Sequence, residues 1–93
     1  MTKDQATEVK NKVDEITSVN FKKTFSNKSG KLHIRIGTYN SGHEEEYRSF
    51  ISEIETERDV IINELKVIFP QYKVEKNNKR YQGFINDICI TVE

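Results

Sequence analysis

The segment from Glu44 to Phe69 constrains the fold more than any other part of the sequence. It contains neither glycine nor proline, and Pro70 follows directly after it. Ser41 and Glu44 stand in the S-x-x-E spacing of a capping box just before the apolar pattern starts. We therefore predict one long helix over residues 43–69. Its apolar face has the spacings of three, four and seven that a helix requires, and comprises Tyr47, Ile51, Ile54, Ile61, Leu65 and Ile68.

The residues before this helix have the pattern of a β-hairpin. Apolar and polar side chains alternate over residues 21–26 and 31–36, and the residues between these runs are turn formers. A four-residue loop would place Ser26 opposite Lys31. Lys23 falls on the apolar face, where we expect it at the sheet edge with its ammonium group in water. The other members of that predicted face are Phe21, Phe25, Leu32, Ile34 and Ile36.

The remaining segments complete an α+β pattern. A narrow apolar stripe predicts an N-terminal helix over residues 3–19, and alternation predicts a second hairpin over residues 71–93 with a turn at Asn77-Asn78-Lys79. The predicted order is α-β-β-α-β-β. The simplest architecture for 93 residues is a single small domain, in which both helices pack on one face of an antiparallel sheet of two hairpins. The sequence leaves the strand order open.

Charge is distributed unevenly, although the formal net charge is zero. The first hairpin is basic, and the long helix is mainly acidic. The helix therefore offers an acidic face as a candidate partner-binding surface, made of Glu45, Glu46, Glu53, Glu57, Asp59 and Glu64. The hairpin offers a basic strand face as the alternative, a nucleic-acid-binding surface made of Lys22, Lys28, Lys31, His33 and Arg35.

Each charged surface has a physical interpretation. A row of carboxylates can dock into a basic groove on another protein, including a groove that normally holds nucleic acid. A basic strand face can follow a phosphate backbone, and Tyr39, Tyr72 or Tyr81 could then stack on bases. The alternative for either surface is a solvated face that binds nothing.

Two features of the long helix concern burial and assembly. Arg58 interrupts the apolar stripe, so we expect it to extend to water or to pair with Glu55, or else to mark the register of a helix–helix interface. A second apolar set lies outside the main stripe and indicates burial on two sides, with a homodimer as one explanation. This second set comprises Val60, Ile62, Val67 and Phe69.

Signals for catalysis and cofactors are weak. Gly37 and Gly42 have the spacing of a phosphate-binding loop, but the lysine that should follow is replaced by His43 and a run of glutamates. Those glutamates suit a helix N-terminus better than a metal site. Cys89 is the single cysteine and lies on a predicted strand, where thiols are usually inert. We expect a non-enzyme that has no cofactor and no metal.

The expected location is the cytoplasm. No apolar run approaches the roughly 20 residues that span a bilayer, and the N-terminal segment is too polar for a signal peptide. Abundant Lys, Asn and Ile beside a single alanine are typical of AT-rich coding genomes. In size, coding bias and mixed α/β character the chain is similar to small inhibitors made by phages and mobile elements, including anti-CRISPR proteins. That resemblance implies a protein that binds and blocks a host or defence-system protein, and it assigns no role to any residue.

Overall fold

The computed structural model describes the backbone of residues 1–16, 23–36, 44–77, 79–81 and 84–93, and the side chains of these residues other than 44–51, 79–81 and 84–87. The order of elements is α1 (Lys3–Ile16), β1 (Lys23–Lys28), β2 (Lys31–Ile36), α2 (Glu44–Ile68), β3 (Val74–Lys76), β4 (Lys79–Tyr81) and β5 (Phe84–Val92). This arrangement confirms the predicted α+β class, and it matches the predicted α-β-β-α-β-β order except that three strands, β3, β4 and β5, follow α2.

Helix α1 starts with a reciprocal cap and is fastened to the first hairpin. The backbone N–H of Gln5 donates to Oγ1 of Thr2 at 3.1 Å, and the N–H of Thr2 donates to Oε1 of Gln5 at 2.9 Å. Each side chain therefore satisfies a backbone N–H that the helix leaves free. The N-terminal ammonium donates to the carbonyl of Gly30 at 3.0 Å, and Nδ2 of Asn27 donates to the carbonyl of Met1 at 2.8 Å. These bonds hold the start of α1 beside the hairpin turn.

Helix α2 is 25 residues long and ends just before Pro70, as the sequence predicts. Its buried residues recur at spacings of three and four from Ile54 to Phe69, along one side of the helix. Near the middle this side includes the charged residues Glu57 and Arg58. Ile68, which we predicted in the buried stripe, is instead 37% exposed.

The first hairpin has a two-residue turn, not the four-residue loop that we predicted. Lys28 pairs with Lys31, Phe25 with Ile34 and Lys23 with Ile36. The turn residues Ser29 and Gly30 have φ values of 54° and 77°, and such positive values at both central positions are the requirement of a type I′ turn. The prediction was wrong by two residues of register. Because side chains alternate with a period of two, the assignment of residues 23–28 and 31–36 to the two faces is nevertheless correct.

The second hairpin also differs from the prediction. Val74 pairs with Val92 and Lys79 pairs with Asp87, so β3 and β4 both run antiparallel to the same strand, β5. A bulge separates Lys79 from Arg80 in this ladder. Tyr81 pairs with Phe84, which places the chain reversal between these two residues and not at Asn77–Lys79. Asn77 therefore follows β3 and Lys79 begins β4, and both of these strands run in the same direction along β5.

The described sheet has the order β1-β2-β5-β3, with β4 paired to the other half of β5. The C-terminal strand is therefore central, and Ile34 of β2 lies opposite Ile90. Both helices pack on the apolar face of this sheet, since Val9 of α1 and Leu65 of α2 join its side chains in one buried cluster. The fully buried side chains of this cluster include Val13, Ile36, Ile61, Ile88 and Val92.

Candidate functional site

The predicted acidic face of α2 is not one continuous surface. Glu53 and Glu64 are exposed, and the side chain of Asp59 is 58% exposed. Glu57, by contrast, is buried at 6% exposure, which contradicts its place in a docking surface. Glu45 and Glu46 belong to the first turn of α2, and their side chains lie outside the described residues.

Glu57 is buried because it forms an ion pair inside the protein. The ammonium of Lys23 lies 2.8 Å from its Oε1, and the two side chains are 8% and 5% exposed. Neither carboxylate oxygen of Glu57 has a hydrogen-bond partner among the described residues. The ammonium of Lys23 is therefore near enough for a hydrogen bond, but the angles at the donor and acceptor are unfavourable. We therefore describe it as an ion pair and not as a hydrogen bond. Our expectation that Lys23 would reach water at the edge was wrong, because its ammonium pairs with Glu57 of α2 instead.

Arg58 is the second charged residue that the helix buries. Its Nε and Nη2 both lie 3.0 Å from Oδ1 of Asp59, and its side chain is 6% exposed. The predicted pairing with Glu55 is replaced by this contact with the adjacent residue. Asp59 therefore neutralises a buried guanidinium, although its carboxylate still faces water.

An amphipathic surface remains on the side of α2 that faces away from the sheet. Val60 and Val67 are 47% and 78% exposed and lie seven residues apart, which places them on the same side of the helix. Glu53 and Glu64 lie on that side as well and are exposed. We call these four residues the outer face of α2. The second apolar set is thus divided, because Ile62 and Phe69 of that set are buried in the protein's own core.

The sheet has a polar face opposite the helices, and no described helix packs on it. The register aligns Thr24 with Arg35 and Cys89, and Ser26 with His33 and Thr91. We call this surface the open face. Of the predicted basic residues it carries Lys28, Lys31, His33 and Arg35, which the structure therefore brings together. Lys22 lies outside the described residues.

The open face contains a shallow cleft of about 350 Å³. Among the described residues its lining offers cationic and imidazole groups, hydroxyls and an amide, and no carboxylate. Lys31 lies outside the cleft, with its ammonium 3.7 Å from the carboxylate of Glu93, and both side chains are about half exposed. The described lining of the cleft comprises Thr24, Ser26, Lys28, His33, Arg35, Asn77 and Cys89.

Of the three tyrosines that we predicted to stack on bases, only Tyr72 has a described side chain, and it does not lie on the open face. Tyr72 packs on the helix side of the sheet, with its ring 5.5 Å from that of Phe69 and inclined by 29°. Tyr39 and the side chain of Tyr81 lie outside the described residues. Any nucleic acid on the described part of this face would therefore be held by charge and hydrogen bonds.

The described residues contain neither a cluster of metal ligands nor a membrane-spanning helix. Within the described ranges, no three His, Cys, Asp or Glu side chains come together as a metal site would require. None of the described helices is both long and apolar enough to span a bilayer.

Comparison with known proteins identifies no relative of this chain. The chain matches no protein-family model, and neither a curated protein nor a solved structure is significantly similar to it.

Proposed function

We propose that this chain is a non-catalytic protein-binding module that docks through the outer face of α2. The observation that carries the proposal is the exposure of Val60 and Val67, at 47% and 78%, on a helix whose opposite side is fully buried. Exposed aliphatic side chains within a charged border are typical of surfaces that bind other proteins. The proposal extends to cytoplasmic action as an inhibitor encoded by a phage or mobile element, in line with the resemblance in general character.

The charges of the outer face indicate the kind of partner. Glu53 and Glu64 flank the two valines, so a complementary surface would present an apolar groove with basic residues at its rim. A groove that normally holds nucleic acid has such a rim. A homodimer through this face is less favourable, because each copy would bring its own carboxylates to the interface. We therefore favour a different protein as the partner and treat self-association as a competing outcome.

Affinity capture tests this function. The tagged chain is used to capture proteins from an extract of the source organism or its host, and the captured proteins are identified by mass spectrometry. We expect the double variant Val67→Lys/Glu64→Lys to lose the specific partner, since it removes an apolar contact and reverses a charge. The matched control is Glu8→Lys, which reverses an exposed charge on α1. Capture of the same partner by wild type and the double variant would contradict the proposal, and so would a stable homodimer that Val67→Lys dissociates.

Binding of nucleic acid on the open face is the second candidate, because the described lining of the cleft contains hydrogen-bond donors and no acid. Fluorescence anisotropy with a labelled single-stranded oligonucleotide tests this candidate. If Lys28 and Arg35 neutralise two phosphates, the logarithm of the binding constant should fall with the logarithm of salt concentration with a slope of about −1.4. Lys28→Glu/Arg35→Glu should abolish binding, whereas Lys66→Glu on α2 should not. No measurable binding at low salt would exclude this candidate.

A further inference from the structure

Strand β1 is an edge of the described sheet, since β2 is its only strand partner among the described residues. In a type I′ turn the carbonyl of Lys28 accepts from the N–H of Lys31, and hydrogen-bonded pairs then alternate along the ladder. The pair of Ser26 with His33 is therefore hydrogen-bonded, and the N–H and C=O groups of Phe25 and Asn27 point away from β2. Within the described part of the chain, no backbone bond to another segment uses these groups.

A groove of about 250 Å³ runs between this edge and helix α1. Its floor is apolar and includes Ala6, Phe25 and Leu32, of which Leu32 is 2% exposed. Lys3 and Lys10 line the helical side, and no carboxylate is among the described lining residues. The ammonium of Lys10 lies 5.7 Å from the ring centroid of Phe25, at the distance of a cation–π contact.

We infer that this groove binds an extended acidic segment of another protein, which adds to β1 as an antiparallel strand. Strand addition at a sheet edge obtains its affinity from main-chain hydrogen bonds and its specificity from side chains that enter adjacent pockets. Here the unpaired backbone groups of β1 lie beside an apolar floor and two lysines. This inference concerns a different surface from the outer face of α2, so either can hold without the other.

The spacing of the two lysines predicts the sequence of the bound segment. Lys3 and Lys10 lie about 10 Å apart along the helix axis, because a helix rises about 1.5 Å per residue. In an added strand, residues i and i+4 point to the same side and lie about 13 Å apart. An acid at each of these positions can reach one lysine, and residue i+2 between them then meets the apolar floor. The preferred segment is therefore acid-x-apolar-x-acid.

The test is an NMR titration of the full-length, ¹⁵N-labelled protein with the capped peptide Thr-Glu-Thr-Val-Thr-Glu-Thr. We expect shifts centred on the amides of Phe25 and Asn27, and slower hydrogen exchange of those two amides. A peptide of the same composition with both glutamates adjacent, and hence on opposite sides of the strand, should bind about twofold to fivefold more weakly because it loses at least one exposed ion pair.

Backbone methylation distinguishes strand addition from simple charge attraction. In an antiparallel pair, the residue opposite Phe25 has its side chain on the helix side and its N–H directed at β1. Methylation of the valine nitrogen should therefore abolish binding, whereas methylation of a neighbouring threonine nitrogen, which points away from β1, should leave it unchanged. Equal binding of the two methylated peptides would overturn the inference.

Charge reversal in the protein supplies the second arm. Lys3→Glu/Lys10→Glu should lower the affinity for the peptide by about tenfold or more, since two exposed ion pairs are replaced by repulsion. The matched double variant Lys66→Glu/Lys76→Glu reverses exposed lysines elsewhere and should leave affinity within twofold. The inference fails if the first double variant binds normally, or if the peptide does not bind at millimolar concentration. It also fails if the free protein is a dimer in which the amides of Phe25 and Asn27 are already protected.

Discussion

The ion pair between Lys23 and Glu57 gives the sharpest test of the fold. Its two charged groups lie 2.8 Å apart with less than a tenth of either side chain exposed. The perturbations are the single variants Glu57→Gln and Lys23→Met, together with the double variant Lys23→Met/Glu57→Leu. Glu57→Gln removes the carboxylate beside the ammonium of Lys23, and Lys23→Met leaves the buried carboxylate of Glu57 without its ion-pair partner. The double variant replaces both groups with apolar side chains of similar size.

Opposing terms decide the magnitude. At 2.8 Å, with an effective dielectric constant of about 20, the attraction is about 6 kcal/mol. Burial costs several kcal/mol for each ion, and the carboxylate of Glu57 has no hydrogen bond that would offset this cost. The net contribution of the pair is therefore close to zero. Loss of one partner should destabilise the protein by about 3–5 kcal/mol, whereas replacement of both should be neutral or stabilising.

Urea denaturation followed by circular dichroism measures these differences. A chain of this size has a free energy of unfolding of about 5–14 kcal/mol and an m-value of about 1–1.5 kcal/mol/M, so Lys23→Met should lower the midpoint by about 2–5 M. The double variant should unfold at or above the wild-type midpoint, which corresponds to a coupling energy of several kcal/mol between the two sites. A cost below about 1 kcal/mol for Lys23→Met would refute the reasoning, because it would mean that water reaches the carboxylate of Glu57.

Three further predictions concern single sites and use the same denaturation assay. Asp59→Asn should destabilise the protein by about 1–3 kcal/mol, because the buried guanidinium of Arg58 loses the carboxylate at 3.0 Å; an unchanged midpoint would show that this guanidinium has other support. Ser29→Asn should stabilise the protein by about 0.5 kcal/mol, since asparagine is favoured over serine at the first position of a type I′ turn, where φ is 54°. Leu65→Ala should cost about 3–5 kcal/mol because its side chain is fully buried, whereas Val67→Ala should change stability by less than about 0.5 kcal/mol. Similar costs for these last two variants would mean that the two sides of α2 are assigned incorrectly.

The sequence predicted local periodicity well. Pro70 and the absence of glycine fixed the end and the continuity of α2, and the alternation in the first hairpin assigned residues correctly to the apolar and polar faces. The register was missed because a shift of two residues leaves that alternation unchanged. The backbone conformation of Ser29 and Gly30 decides the register, and Ser-Gly is a weaker I′ signal than Asn-Gly.

Pairing between distant segments could not be read from periodicity. Lys23 on an apolar face looked like an exception, and Glu57 looked like one member of an acidic row. Each is explained by the other, but they are separated by more than thirty residues, and a single sequence does not indicate that they meet. A lysine on the apolar face of a strand is nevertheless a signal to search a facing helix for an acid.

The position of β5 has a consequence for how the protein is made. Its residues 88–92 pair with β2, whose partners lie 52–60 positions earlier in the chain, from Ile36↔Ile88 to Leu32↔Val92. While a ribosome is still adding residues before Ile88, the first hairpin and β3 have no strand between them. The nascent chain must then keep half-formed apolar surfaces in contact with water or with a chaperone. The sheet can therefore be completed only once β5 has emerged. The wide sequence separation of the contacts between β5 and β2 makes that step slow compared with closure of either hairpin.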